Sequence, residues 1–308
     1  MLFRQLEYLV ALSRERHFAR AADRCHVSQP ALSEGIRKLE QELDVPLVRR
    51  GRKFEGLTVE GERLVQWAQR ILADVDALKD EVGAMRTGLS GELRIGCVPT
   101  ASAAVATLVE PFCAEHPLVT VHLFADLRAE EILKRIQNFD IDAAITYLDD
   151  EVSRNFVTVP LYRERYVLLA DLATTPSLPA EVTWAEAARL PLCLLSIGMQ
   201  GRRVLDDVFA EVGTTIAPRL ETDSVASLFA QVKMGRWAAI VPRVWLSVFG
   251  LPAGLRAVPL VEPARTMPVG LVIAARQPGS VMARALADTA RRTEVVAALN
   301  RLATDSSV

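Results

Sequence analysis

Residues 18–40 read FARAADRCHVSQPALSEGIRKLE, and two helical patterns meet inside this segment. Ser28 can accept a hydrogen bond from a free backbone N–H at the start of a helix. Pro30 fits the first helical turn, where its missing N–H has no partner. The segment therefore predicts a short helix that ends at Cys25-His26, a tight turn, and a second helix that continues to about Glu42.

The second helix has two faces with different chemistry. Its apolar residues follow the spacing i, i+4, i+7 and i+11, which predicts one buried stripe formed by Leu32, Ile36, Leu39 and Leu43. A polar row at i, i+4 and i+8 consists of Gln29, Ser33 and Arg37. Helices that read the major groove need such a row, because hydrogen-bonding groups near the helix start meet base edges. This spacing predicts a helix-turn-helix; a generic helical hairpin with a solvated face is the alternative.

A basic turn follows the second helix. Four cations surround Gly51, a residue type common in turns: Arg49, Arg50, Arg52 and Lys53. Short strands beside this turn would form a wing whose cations contact phosphates or the minor groove. A solvated charged loop is the alternative for the turn alone. Residues 4–53 hold eleven Lys and Arg against seven Asp and Glu, whereas the whole chain has a net charge of −2. This asymmetry favours a basic head on an acidic body.

A long helix is predicted after Thr58. Its apolar positions advance by steps near 3 and 4, and they are Leu64, Trp67 with Ala68, Ile71, Val75, Leu78, Val82 and Met85. A sustained 3.5-residue repeat predicts pairing of this helix between two copies of the chain. A dimer would match a palindromic operator. The alternative is a helix that packs on its own chain. Gly88 and Ser90-Gly91 end the helix and form the linker.

Residues 91–303 alternate strand-like and helix-like segments, as in an α/β domain. Several predicted strands end in hydroxyl side chains just before a helix. Such junctions suit a small anion, because hydroxyls and free N–H groups converge there and the helix dipole favours negative charge. Each junction alone can equally be a plain helix cap. The residues of interest are Thr100, Ser102, Thr146, Ser196 and Thr222, with Arg128 as a source of positive charge or as a surface salt bridge.

Composition excludes several classes of protein. The 308 residues are half apolar and 24% charged, which is typical of a globular chain with two or three domains. No apolar run approaches the roughly 20 residues that span a bilayer, and no signal peptide is visible. Four widely spaced cysteines form no CxxC motif, which argues against zinc and disulfides and fits a reducing cytoplasm. We expect a cytoplasmic protein without a membrane segment, cofactor or metal.

Residues 18–40 resemble the LysR-type transcriptional regulators. The most specific part is SQPALS, from Ser28 to Ser33, followed by Ile36 and Leu39-Glu40. The wing also resembles the family, from Leu47 to Arg50 and from Leu57-Thr58 to Gly61. A weaker resemblance continues through the strand at residues 93–98 and through Gly235 and Ile240-Val241-Pro242.

Three positions depart from the family pattern. Val48 stands where the family usually has Phe, and Glu60 where it usually has Ala. Gly35 lies inside the predicted reading helix, where glycine costs about 0.5–1 kcal/mol relative to Ala. We expect Gly35 either to loosen the helix or to allow a close approach to DNA. Glu34 could accept a hydrogen bond from cytosine or remain a solvated acid.

The resemblance implies a function and a set of partners. It implies a homotetrameric activator or repressor that binds interrupted palindromes in promoter DNA and responds to a small effector; contact with RNA polymerase would follow from this role. Transferred by position, Gln29, Pro30 and Ser33 would face the bases, and Arg37, Arg50, Arg52 and Lys53 would serve the backbone or the minor groove. The helix cap Ser28 belongs to the same DNA-binding set. An anionic effector would contact Thr100, Ser102, Arg128, Thr146, Ser196 and Thr222.

The predicted fold is a multidomain chain of α and α/β parts. It comprises a winged helix-turn-helix at 1–60, a linker and dimerisation helix at 61–90, and an effector-binding body at 91–308. The resemblance implies that the body is two-lobed and similar to a periplasmic binding protein. Lobe 1 would comprise about 91–162 and 268–303, and lobe 2 about 163–267.

Two other functions fit parts of the chain. One is an enzyme or transport protein on a binding-protein fold, and the other is a regulator whose body only oligomerises. The basic wing and the heptad helix argue against the first, as does the lack of GxxxxGK[ST], GxGxxG, HExxH and GxSxG motifs. We therefore expect no catalytic residues. The paired cysteines of peroxide-sensing members of the family have no evident counterpart in this sequence.

Overall fold

The computed structural model describes residues 1–50, 54–276 and 278–304, and the chain forms two compact units. The first unit comprises residues 1–86 with 278–280, and the second comprises 87–276 and 281–304. Each unit has its own hydrophobic core. The predicted DNA contacts Arg52 and Lys53 lie outside the described residues. No helix in the described ranges is both long enough and apolar enough to cross a membrane.

The first unit is a helical head followed by a small hairpin and a long helix. Its elements in chain order are α1 (Phe3–Glu15), α2 (Phe18–Arg24), α3 (Gln29–Leu43), β1 (Val48–Arg50), β2 (Phe54–Leu57) and α4 (Val59–Thr87). The core between α1, α2 and α3 contains Leu9, Ala21 and Leu32, all fully buried. This arrangement confirms the predicted winged helix-turn-helix.

One residue of the predicted stripe on α3 is not in the core. Leu32, Ile36 and Leu39 are buried, but Leu43 is 40% exposed. Leu43 is the last residue of α3, and the chain leaves the helix at Asp44 in the left-handed conformation. The stripe therefore extends beyond the end of the core, and the prediction for Leu43 is wrong.

The long helix α4 begins at Val59, directly after its cap Thr58, and its two halves have different surroundings. The Thr58 hydroxyl accepts a hydrogen bond from the Gly61 N–H at 2.9 Å, which caps the helix. A Cβ at Gly61 would overlap the backbone oxygen of Leu47, so the helix start and the wing need glycine at this position. The first half packs on the head through Val65 and Ala68. This half of the helix therefore packs on its own chain, which was the alternative to pairing between two copies.

The second half of α4 leaves large apolar side chains uncovered. Leu78 and Met85 are 65% and 78% exposed, Val82 also faces solvent, and so does Trp67 in the first half of the helix. These four residues belong to the predicted heptad seam. Their exposure in a single chain agrees with a seam that pairs with another copy.

The second unit is built on a mixed sheet flanked by helices. The strands of the unit are β3 (Ser90–Cys97), β4 (Leu118–Phe124), β5 (Ala143–Tyr147), β6 (Phe156–Asp171), β7 (Val182–Thr183), β8 (Cys193–Leu195), β9 (Leu220–Thr222), β10 (Ala239–Pro242), β11 (Leu255–Val261) and β12 (Thr266–Ala274). Of these, β8 and β9 form a separate two-stranded parallel sheet. Its helices are α5 (Ser102–Glu115), α6 (Ala129–Gln137), α7 (Asp150–Asn155), α8 (Trp184–Ala187), α9 (Gln200–Glu211), α10 (Val225–Lys233), α11 (Arg243–Phe249), α12 (Val281–Ala290) and α13 (Thr293–Thr304).

The long strand β6 connects the two parts of this sheet. Its residues 156–165 pair with β12, which continues to β5, β3 and the edge strand β4. Its residues 166–171 pair with β10 and β11 instead. The change of partner occurs between Arg165 and Tyr166, close to the predicted crossing between lobes. The two-lobed α/β architecture is thereby confirmed, and the stated lobe boundaries remain a prediction.

Candidate nucleic-acid interface and effector site

The start of α3 presents the predicted reading surface. The Ser28 hydroxyl accepts a hydrogen bond from the Ala31 N–H at 3.3 Å, so it caps the helix as expected. Gln29 and Pro30 are exposed, and Ser33 is half-buried one turn later. The first turn of α3 therefore offers an amide, a proline ring and a hydroxyl on its accessible side.

Arg37 continues this row, and it is held by a neighbouring acid. Its Nε and Nη2 atoms both donate to the Glu34 carboxylate at 2.8 Å, which makes the ion pair bidentate. The hydrogen bond from Arg37 lowers the pKa of Glu34. Glu34 is thus an ion-pair partner in the free protein, and a phosphate would have to compete with it for Arg37.

Gly35 has a packing role that its position in the sequence did not reveal. A Cβ at this position would lie 2.6 Å from Cδ2 of Tyr8 on α1. The tyrosine ring therefore occupies the space that any larger residue would need. The sequence analysis expected Gly35 either to loosen the helix or to allow a close approach to DNA, and neither expectation included this contact. The close approach seen in the structure is between Gly35 and Tyr8 within the head.

The wing is fixed to the helices at its base. Val48 pairs with Leu57, and Arg50 pairs with Phe54. The Glu40 carboxylate accepts the N–H groups of Leu47 and Val48 at 2.9 and 3.1 Å, which ties β1 to α3.

An aromatic contact holds the other strand of the wing. The Phe54 ring meets the Phe18 ring edge-on, with centroids 6.1 Å apart. Both strands of the hairpin are therefore anchored, and Arg50 is the last residue of β1, opposite Phe54.

In the second unit, the structure brings several predicted effector residues into one region. A Cβ at Gly201, near the start of α9, would lie 2.5 Å from Cγ2 of Thr100. The Ser196 N–H donates to the Thr222 carbonyl at 2.9 Å, which joins the ends of β8 and β9. Thr100, Ser196 and Thr222 therefore surround the start of α9, as expected for strand ends at a ligand cleft.

Arg128 lies beside this region. Its guanidinium would be 3.6 Å from a Cβ at Gly198, in the loop between β8 and α9. Arg128 is exposed and forms no ion pair with a residue in the described ranges. The salt-bridge alternative for Arg128 is thus not seen, and its charge is available near Ser196.

Two other predicted contacts have different surroundings. The Ser102 hydroxyl donates to the Pro99 carbonyl at 2.7 Å, so it is used locally at the start of α5. Thr146 is 1% exposed and lines a cavity of about 360 Å³ together with Tyr147 and with Gln200, the first residue of α9. Five carboxylates line that cavity, which we call the acidic cavity: Glu130, Asp149, Glu151, Asp206 and Asp207.

Sequence reasoning missed a buried polar cluster next to Thr100. Glu164 on β6 is 1% exposed, and its carboxylate accepts hydrogen bonds from Tyr147 and Tyr166, the latter at 2.8 Å. The Tyr147 oxygen is also hydrogen-bonded to the Thr100 hydroxyl, which lies 2.9 Å away and can donate to it. Desolvation by burial raises the pKa of Glu164 to about 7, although the tyrosine hydrogen bonds lower it.

We define this group of Thr100, Tyr147, Tyr162, Glu164 and Tyr166 as the Glu164 cluster. The only signal in the sequence is the pattern Tyr162-Arg-Glu-Arg-Tyr166, which places two aromatic residues and an acid on one face of a strand. The Tyr147 contact comes from another strand, so periodicity alone could not identify it.

The cysteines are all described, and none forms a disulfide. Burial raises the pKa of Cys97 to about 12 and that of Cys193 to about 11. Burial also raises the pKa of Cys25, with a smaller contribution from Glu7. Thiols of this kind are poor nucleophiles at neutral pH, because the thiolate is the reactive form.

Two family models match this chain. One describes a bacterial regulatory helix-turn-helix protein of the lysR family and matches residues 3–62. The other describes a LysR substrate binding domain and matches residues 86–294. The first match lies in the first unit, and the second extends over most of the second unit.

Similar proteins extend over nearly the whole chain. The DNA-binding transcriptional dual regulator OxyR of Escherichia coli (strain K12) is 33% identical over 282 residues, which are 91% of this chain and 90% of the relative. A full-length OxyR variant from Pseudomonas aeruginosa has the same fold, with a TM-score of 0.74 and 24% identity over 94% of this chain and 98% of that one. Full-length CbnR with its target DNA has a TM-score of 0.64 and 21% identity, over 95% and 99%.

Proposed function

The chain belongs to the LysR family of bacterial transcriptional regulators, and from this premise we propose which of its residues bind DNA and effector. The protein is a DNA-binding transcriptional regulator with an effector-binding body, and it is oligomeric like the full-length regulators it resembles. Its relatives are transcriptional regulators, so we assign no catalytic role to the strand-end hydroxyls of the body.

The reading surface is the exposed row at the start of α3. Gln29, Pro30 and Ser33 contact base edges in the major groove, and Ser28 holds the helix start in position. Arg37 exchanges part of its ion pair with Glu34 for a phosphate. The observation that carries this proposal is the coincidence of a capped, solvent-accessible helix start with the family's reading motif.

The wing is proposed to supply contacts to DNA that do not depend on the base sequence. Arg50, Arg52 and Lys53 are proposed to bind phosphates or the minor groove, since they follow the anchored base of the hairpin in the chain. The exposed half of α4 pairs two copies of the chain, which places two reading helices on two half-sites. A homotetramer and contact with RNA polymerase are further parts of this proposal.

The effector site lies around the start of α9. Thr100, Ser196 and Thr222 offer hydroxyls, and the helix N-terminus and Arg128 supply positive charge. We propose that an anionic effector bound there changes the angle between lobes and thereby the geometry of the oligomer on DNA. Ser102 and Thr146 would complete the site from its margins.

The assignment of the reading helix is tested by two substitutions and a control. Gln29→Ala and Ser33→Ala should each weaken binding to the cognate operator by about 1–3 kcal/mol in a gel-shift titration at fixed salt. Arg50→Ala should instead weaken binding to every DNA sequence and reduce the salt dependence. Unchanged operator affinity in both α3 variants would show that α3 does not read the bases.

A further inference from the structure

The Glu164 cluster lies where β6 changes its partners. Residues 156–165 of β6 pair with β12, and residues 166–171 pair with β10 and β11. Glu164 and Tyr166 therefore stand on either side of this change. A change of charge within the cluster acts on the strand that joins the two parts of the sheet.

Glu164 is a buried acid without a cation. It is 1% exposed, and it forms no ion pair with any residue in the described ranges. Its hydrogen-bond partners are the hydroxyl of Tyr147 on β5 and those of Tyr162 and Tyr166 on β6 itself. On β12 the residue opposite Glu164 is Met267, which carries no charge. The surroundings of the carboxylate are therefore polar but uncharged.

The other titratable groups of the cluster stay neutral near pH 7. Burial raises the pKa of its three tyrosines well above the ordinary value for tyrosine. Cys97 on β3 lies near Tyr162, and its pKa is about 12. The flanking Arg163 and Arg165 are exposed, because side chains alternate between the two faces of a strand. Glu164 is therefore the group of the cluster whose charge changes near neutral pH.

Thr100 connects the cluster to helices that follow other strands. Its hydroxyl is hydrogen-bonded to the Tyr147 oxygen at 2.9 Å, and its backbone carbonyl accepts the indole N–H of Trp245 at 2.8 Å. Trp245 is fully buried on α11, which directly follows β10. Thr100 also fills the space beside Gly201 on α9. A continuous series of contacts thus leads from Glu164 through Tyr147 and Thr100 to α11.

Tyr166 connects the cluster to a second segment between the two parts of the sheet. Its ring meets that of Trp184 edge-on, with centroids 6.4 Å apart. The indole N–H of Trp184 donates to the backbone carbonyl of Pro263 at 2.9 Å, in the segment between β11 and β12. Both tryptophans that touch the cluster therefore report on contacts at this junction.

Ionisation of Glu164 changes the free energy of this arrangement. A buried carboxylate without a cation is costly, and the cost falls when water reaches it. Water can reach it only when neighbouring groups move apart. Thr100 belongs to a short 3₁₀ turn at Pro99–Ala101, outside the hydrogen-bonded strands, so it can move without breaking a strand pair.

We propose that neutral Glu164 keeps Thr100 in contact with Trp245 and that ionised Glu164 releases this contact, which makes the body a proton-sensitive switch. The ionised form favours the released arrangement because the carboxylate is hydrated there, and proton uptake favours the closed one. The proposal concerns the body alone, and it is independent of the DNA and effector contacts proposed above.

Acrylamide quenching of tryptophan fluorescence in the full chain tests this proposal. Trp184 and Trp245 are fully buried, and Trp67→Phe with Trp237→Phe removes the other two tryptophans. The Stern–Volmer constant of this double variant should be about twofold larger at pH 8.5 than at pH 5.5, with a midpoint near pH 7. Circular dichroism at both pH values checks that the chain remains folded.

Further variants in the same background assign the midpoint. Glu164→Gln keeps the side-chain size, and it should show the low quenching of pH 5.5 at every pH. Tyr166→Phe keeps the ring beside Trp184 and removes a hydrogen bond that lowers the pKa of Glu164, so the midpoint should move to higher pH by about half a unit. Tyr8→Phe in the head and Glu110→Gln on the surface of α5 are the matched controls, and both should leave the profile unchanged.

Three results would overturn the proposal. They are equal quenching of the double variant at pH 5.5 and pH 8.5, an unchanged pH profile in Glu164→Gln, and equal midpoints in Tyr166→Phe and Tyr8→Phe. Loss of secondary structure at pH 8.5 would also contradict it, because the contact would then be lost by unfolding. If Glu164→Gln does not fold, the comparison of Tyr166→Phe with Tyr8→Phe still decides.

Discussion

The two units place their polar side chains in opposite surroundings. In the head, Gln29 and Arg37 lie on the accessible side of α3, where water competes for their hydrogen bonds. In the body, Tyr147 and Glu164 are 3% and 1% exposed and bond to each other. Polar groups in water respond to salt and to DNA, whereas polar groups excluded from water respond to protonation. Salt should therefore change the DNA affinity of the head, and pH should change the stability of the body.

The largest effect is expected from the protonation of Glu164. Its folded-state pKa of about 7 lies above the ordinary value of 4.5, so the folded state favours the neutral acid. This contribution to stability is complete below pH 4.5 and is lost as the pH rises through about 7. The full difference is on the order of 3 kcal/mol. Thermal unfolding of the body, followed by calorimetry between pH 5 and 8, measures it.

Glu164→Gln provides the control for this pH dependence. The amide stays neutral, so the variant should be more stable than the natural chain at pH 8, with a flatter profile. Glu110→Gln, at an exposed position on α5, should leave the profile unchanged. A natural chain whose body is equally stable at pH 5 and pH 8 would contradict the assigned role of Glu164.

The head should instead be sensitive to added volume at the start of α4. Gly61→Ala places a methyl group against the Leu47 backbone oxygen, and we expect a loss of about 1–3 kcal/mol in unfolding free energy. Gly83→Ala in the same helix meets nothing within 4 Å and should stabilise by about 0.5–1 kcal/mol. Urea denaturation of the full chain distinguishes the two. A Gly61→Ala variant as stable as Gly83→Ala would mean that the wing moves freely from α4.

A smaller effect is expected from the ion pair on α3. Glu34→Gln releases Arg37 for phosphate contact, because the bidentate pair is lost. Affinity should rise by about twofold to fivefold on operator and non-operator DNA alike. The salt dependence should steepen, and gel shifts at several salt concentrations measure it. A rise restricted to the operator would indicate that Glu34 instead acts in base selection.

Peroxide should have no effect on either unit. The relatives named as hydrogen peroxide-inducible genes activators suggest a redox input, but burial raises the pKa of Cys97 and Cys193 well above neutral. We expect equal operator affinity before and after treatment with hydrogen peroxide, and no disulfide by mass spectrometry. Cys113→Ser and Cys25→Ser controls identify the thiol if a change does occur.

The head was largely predictable from local pattern. Ser28 as a cap, the buried row of Leu32, Ile36 and Leu39, and the pairing of β1 with β2 all follow from helical spacing and turn chemistry. The prediction that Leu43 is buried was wrong, because a periodic pattern does not mark where the core ends. The packing role of Gly35 was missed, because its space is taken by Tyr8, a residue 27 positions earlier in the chain.

The body was predictable as a class and less so as a site. Hydroxyls at strand ends indicated Thr100, Ser196 and Thr222, and the structure brings these together at α9. The position of Thr146 was visible in the sequence, but its cavity was not. The carboxylates around it come from α6, α7 and α9, and separation along the chain hides such groupings.

The sequence by itself determined the elements, the family and the polar row on α3, because each depends on residues within one or two helical turns. Only the tertiary structure decided which polar groups lose contact with water. Glu164 is an ordinary acid on a strand until folding places Tyr147 of β5 against its carboxylate and Thr100, from the segment after β3, against Tyr147. Desolvation depends on every neighbour in space, and this is the physical reason that the chemistry of the body became visible only in the folded chain.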